Sequence, residues 1–175
     1  MATVALALIM VVSAVSGLNV ALPSLALDTG ATQSELQWIV DAYTVVFAGL
    51  LLFAGAFGDR FGRRETLMIG LVIFGAAAAV AFFVTEPPWL IVLRAAMGIG
   101  AAFVMPTTLA IITSSFPVEE RGRAVGAWVG IVGGGAVLGL FASGLLLEWL
   151  PWNSFFALNV VLAILAFAAT VAAIP

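Results

Sequence analysis

Six long apolar runs alternate with five short polar breaks along the chain. The runs cover roughly 4–27, 36–57, 66–84, 89–113, 124–147 and 155–174. Each is close to the ~20 residues that a helix needs to cross a bilayer. The breaks read "DTGATQSE", "GDRFGRRE", "TEPP", "SSFPVEERGR" and "EWLPWN", and Gly, Pro and charge gather in them as loops require. A barrel would show ~10-residue strands of alternating polarity instead. The pattern predicts an all-α integral membrane protein of six transmembrane helices in one bundle over 1–175. The opening stretch "MATVALALIMVVSAVSG" lacks the basic start of a signal peptide, and its apolar pattern continues into "LNVALPSLAL", so it reads as the first membrane helix.

Charge then orients the bundle. Arg60, Arg63 and Arg64 lie in the second break, and Arg121 and Arg123 in the fourth. The first, third and fifth breaks hold Asp28, Glu35, Glu86 and Glu148 and no cation. The positive-inside rule makes the arginine side cytoplasmic, with both chain ends there and the bundle in the cell membrane.

Composition excludes several chemistries. The chain has no Cys and no His, and its six basic residues are all Arg. Cys/His metal centres, His-assisted nucleophiles and a Walker-type phosphate loop therefore have no residues to build on. No enzyme, no metal site and no nucleic-acid partner are expected.

Polar residues inside the runs are the candidates for function, because charge within a membrane is costly. Arg94 is the single cation inside a run, and Asp41 the single acid well inside one. They sit at similar depth, so an ion pair or shared network between them is expected. Ser13, Ser16 and Asn19 recur on the first helix. Arg94, Met97, Ala101, Met105 and Thr108 recur at spacings of three or four on the fourth. Such stripes face either a cavity or another helix. Pro23 and Pro106 interrupt the same two helices. "NVALPSLA" and "FVMPTTLA" form a faint internal repeat around those prolines, as an inverted three-helix repeat would give. On the fifth helix Gly122, Gly126, Gly130 and Gly134 stand four apart, followed by Gly135, Gly139 and Ser143, with Gly144 adjoining. Small residues at this spacing predict close helix packing.

Five of the charged residues crowd between Asp59 and Glu65. The stretch Gly55-Ala-Phe-Gly-Asp59-Arg60-Phe-Gly62-Arg63-Arg64 resembles the loop signature of the major facilitator superfamily, in position as well as in spacing. "LNVALPSL", "LRAAMGIGAA", "GAVLGLFASG" and "WIVDAYTVVFAG" are similar to stretches of its drug:proton antiporter branch, the last to the fourteen-helix multidrug efflux type. The resemblance covers essentially the whole chain. It departs at Ala14, where the branch usually carries Asp, at Met97 for Gln, at Leu140 for Pro, and at Ser143 for Gly.

The resemblance implies the N-terminal half, a 3+3 inverted repeat, of a secondary active transporter working by alternating access. It implies proton-coupled efflux of drugs or other small molecules, with the proton gradient as energy source and no bound cofactor. The first and fourth helices would line a central cavity, giving Ser16, Asn19, Asp41, Arg94, Met97, Met105 and Thr108 as coupling or cavity residues. Gly55, Asp59, Arg60, Gly62, Arg63 and Arg64 would form a cytoplasmic latch. Gly126, Gly130, Gly134, Gly135, Gly139 and Gly144 would pack helices. Such transporters hold substrate between two six-helix halves. A further C-terminal half, or a second copy, is therefore an expected partner beside the lipid bilayer and a small-molecule substrate, and the chain is expected to be a part of a longer protein. Two alternatives stay open: the same fold carrying a metabolite without proton antiport, and a non-transporting membrane bundle.

Overall fold

A computed structural model describes residues 2–173. It contains six long helices: α1 (Ala2–Thr29), α2 (Gln33–Phe61), α3 (Arg63–Phe83), α4 (Pro87–Ser115), α5 (Arg121–Trp149) and α6 (Ser154–Ala173). The sixth apolar run was expected to end at Ile174, which lies outside the described residues. All six helices are long and apolar enough to cross a membrane.

The helices end where local chemistry makes them end. Thr32 opens α2 with a capping box: its hydroxyl accepts from the Glu35 N–H, and the Glu35 carboxylate accepts from the Thr32 N–H. Pro87 and Pro88 start α4, where the missing N–H groups cost nothing. Gly62 ends α2 and starts α3 with φ of 104°, a conformation that only glycine adopts without strain. A Cβ there would also run into the Glu65 carboxylate.

The packing is that of an inverted repeat. α1 packs on α5 and α6, as α4 packs on α2 and α3, and α3 meets α6 between them. α1 and α4 take equivalent places, and each carries an internal proline. They are the most enclosed helices, with 56% of the spanning window of each buried, against 22% for α2 and 17% for α5. α2 and α5 therefore flank the unit and show most of their surface.

Glycines set the closest approaches. A Cβ at Gly98 of α4 would stand 2.5 Å from the Tyr43 carbonyl oxygen of α2. One at Gly139 of α5 would stand 2.6 Å from the Ser13 Cα of α1, and one at Gly135 would stand 3.3 Å from the Ile9 Cα. The rest of the α5 stripe behaves otherwise than expected. Gly126, Gly130, Gly134 and Gly144 have nothing within 4 Å of a built Cβ, so they pack against no other described helix. Helical geometry explains the difference. Gly126 and Gly135 are nine positions apart, and so are Gly130 and Gly139. At 3.6 residues per turn that is two and a half turns, which places the two rows on opposite faces.

Candidate functional site

Arg94 is fully buried at the junction of α4, α2 and α1. Its Nε donates to the Ile39 carbonyl at 3.0 Å, and its guanidinium lies 4.4 Å from the centre of the Tyr43 ring. The Tyr43 hydroxyl in turn donates to the Val11 carbonyl of α1 at 2.9 Å. A cation over an aromatic face out of water is attracted by the ring's negative quadrupole. The chain of contacts thus ties three helices through one charge. Nη1 and Nη2 have no hydrogen-bond partner among the described residues.

Asp41 takes no part in this junction. The expected Arg94–Asp41 pair is not formed; among the described residues the one ion pair joins Asp59 and Arg63. Ile39 and Tyr43 each lie two positions from Asp41, about 160° around the helix axis, so α2 turns them towards Arg94 and Asp41 away from it. Equal depth was legible in the sequence, and the facing was not. Asp41, half-buried, instead lines a cleft of about 490 Å³ between α1 and α2, together with Gln33 and Gln37 on its own helix face and Leu22, Pro23 and Ala26 opposite.

The α4 stripe faces the interior of the unit. Met97, Ala101 and Thr108 have no exposed surface, and Met105 is partly buried. Met97 shares the core with Ala14, the position where the resemblance expects an acid. The Thr108 hydroxyl donates to the Met105 carbonyl at 2.7 Å and accepts from the Trp128 indole of α5 at 3.3 Å. Of the two open readings of this stripe, contact between helices is the one the unit shows. On α1, Ser13 is buried against α5, whereas Asn19 is exposed. Ser16 and Asn19 bond back to the Val12 and Val15 carbonyls of their own helix.

At the arginine-rich end, α2 turns sharply into α3. Arg63 Nη1 donates to the Ala110 carbonyl of α4 at 2.8 Å, and its Nη2 lies 3.9 Å from Asp59. Asp59 is 72% exposed. The Arg60 guanidinium sits 5.3 Å from the Phe61 ring centre, and Arg64 has a buried Nε without a partner. A small pocket of about 170 Å³ opens behind Asp59, floored by Gly55, Gly58, Pro106 and Thr107. A Cβ at Gly55 would make an ordinary 3.8 Å contact with Pro106, so the close approach expected at Gly55 is not required here. It falls at Gly58 instead, where a Cβ would stand 3.4 Å from the Thr107 hydroxyl.

Sequence reasoning missed Tyr43 and Thr107. Tyr43 is the single tyrosine of the chain. A lone phenol inside an apolar run needs a hydrogen-bond partner, and that was the available signal.

The neighbours of the chain agree with this architecture. It is 41% identical over 159 residues to the methyl viologen resistance protein SmvA of Salmonella typhimurium, spanning 90% of this chain and 32% of SmvA. It is 41% identical over 149 residues to the puromycin resistance protein pur8 of Streptomyces alboniger, spanning 85% of this chain and 30% of that protein. The chain therefore spans about a third of the length of these relatives. Its fold matches the proton:xylose symporter XylE with a TM-score of 0.85 at 17% identity, over 97% of this chain and 43% of XylE. The family model described as Major Facilitator Superfamily matches residues 4–175, and the chain belongs to that superfamily as a multi-pass membrane protein.

Proposed function

We propose that this unit is the N-terminal half of a secondary active transporter that exports small molecules by alternating access, driven by the proton gradient and without a bound cofactor. The observation that carries the reading is the 41% identity to a methyl viologen resistance protein across 90% of the chain. The geometry supports it. Asp59 stands exposed beside a turn that Arg63 fastens to α4, as a latch towards a second half requires. The faces of α2 and α5 are open for that half, or for a second copy, to cover. Arg60, Arg63, Arg64, Arg121 and Arg123 place this end and both termini in the cytoplasm, with the unit in the cell membrane. Asp41 is the protonatable group, and Arg94 acts through Tyr43 as a positioning residue.

The test uses the native protein in everted vesicles with a preformed proton gradient. Adding methyl viologen or puromycin collapses the gradient if the reading holds, and the Asp41→Asn variant abolishes the response. A second reading, metabolite transport without antiport, is favoured by one observation: Ala14 is fully buried, which leaves no acid on α1 beside Arg94. Flux of a neutral metabolite without proton movement would establish it. Absence of flux for every solute would overturn both readings and leave a non-transporting bundle.

A further inference from the structure

The cleft beside Asp41 is built like a binding site and is made by this unit alone. Asp41 lies eight residues into α2, about 12 Å from the helix start at 1.5 Å per residue. Gln33, Gln37 and Asp41 follow at four-residue spacing, so two amides and a carboxylate line one face in succession. The facing wall, Leu22, Pro23 and Ala26 of α1, is apolar. No arginine lines the cleft, and Asp41 forms no ion pair among the described residues. A half-buried carboxylate without a counter-ion is unfavourable at membrane depth, and an incoming cation relieves it. About 490 Å³ is within the range of sites for drug-sized molecules.

We propose that this α1–α2 cleft is an outer-side binding site for amphipathic organic cations. Asp41 is the counter-ion, Gln33 and Gln37 offer amide contacts, and the α1 wall takes the apolar body. The location on the outer side rests on the orientation given under Proposed function. Binding here needs neither Arg94, which α2 holds on its other face, nor a turn of the transport cycle. A cation leaving by this route would bind here before release, and the same cation supplied from outside would occupy the site.

The test reads occupancy rather than transport. The chain has no cysteine, so the Gln37→Cys variant of the native protein adds the one thiol of this unit. In right-side-out vesicles, a membrane-impermeant thiol reagent labels Cys at 37 from outside. Tetraphenylphosphonium slows the labelling at least about tenfold, the size of one charge-assisted contact. The neutral triphenylphosphine oxide does not. Adding Asp41→Asn removes the protection, and Asp41→Glu restores it. No labelling from outside, equal protection by the neutral analogue, or protection that survives Asp41→Asn would each overturn the proposal. The vesicle gradient assay is independent of this readout. Transport without protection sinks the cleft site and leaves the transporter; protection without transport does the reverse.

Discussion

The Arg94 guanidinium lies 4.4 Å from the centre of the Tyr43 ring, and the Tyr43 hydroxyl reaches across to the Val11 carbonyl. One aromatic side chain therefore both shields a buried cation and joins α2 to α1. The two contributions separate by substitution. Tyr43→Phe keeps the ring and loses the hydrogen bond, an expected cost of about 0.5–1.5 kcal/mol. Tyr43→Leu loses the ring as well, which adds about 2 kcal/mol for a desolvated cation–π contact. Chaotrope unfolding of the purified protein measures both. Equal losses for the two variants would show that the ring face contributes nothing to holding Arg94.

A double-mutant cycle between Asp41 and Arg94 is expected to be additive within about 0.5 kcal/mol, because α2 faces them in opposite directions. The cycle between Tyr43 and Arg94 is expected to show coupling of about 0.5–3 kcal/mol, as residues in contact do. Coupling of that size between Asp41 and Arg94 would mean that they pair in another state of the unit.

The six helices were legible because apolar runs of membrane length are an unambiguous signal, and Gly62 was legible because its motif fixes the turn. Facing was harder to read. In a soluble helix, polarity marks the outside. Here lipid, neighbouring helices and core are all apolar, so periodicity does not say which side of α5 packs. Gly135 and Gly139 pack on α1, while Gly126 and Gly130 carry the same spacing on the open face. The same ambiguity hid the burial of Met97 and Thr108. Depth along a helix follows from counting residues, so Arg94 and Asp41 were placed correctly along the helix axes and wrongly around them.

The glycine rows give opposite expectations on one helix. Gly139→Ala would put a Cβ 2.6 Å from the Ser13 Cα, and Gly98→Ala would put one 2.5 Å from a backbone oxygen of α2. Backbone cannot step aside as a side chain can, so each is expected to cost about 1–3 kcal/mol through overpacking. Gly126→Ala and Gly130→Ala meet nothing. In the isolated unit they are expected to be neutral, or to gain up to about 1 kcal/mol of helix propensity. Melting of the four variants distinguishes the rows. If Gly126→Ala keeps the fold of the native protein yet stops flux, that face meets another surface during transport.

Asp59 separates stability from mechanism at the latch. Its contact with Arg63 is long, at 3.9 Å, and Asp59 is 72% exposed. An exposed ion pair of this kind contributes about 0–1 kcal/mol, so Asp59→Asn is expected to leave the unfolding midpoint nearly unchanged. Gly62→Ala, by contrast, forces a side chain into φ of 104° and is expected to cost about 1–3 kcal/mol. Arg63→Gln falls between them, because it removes the link to the Ala110 carbonyl. Measuring melting and flux together on all three variants tests the latch. A loss of flux in Asp59→Asn at unchanged melting temperature requires Asp59 to act on something outside this unit, as a latch does. Flux that falls only in step with stability, from Asp59→Asn through Arg63→Gln to Gly62→Ala, would make the whole turn a structural hinge and nothing more.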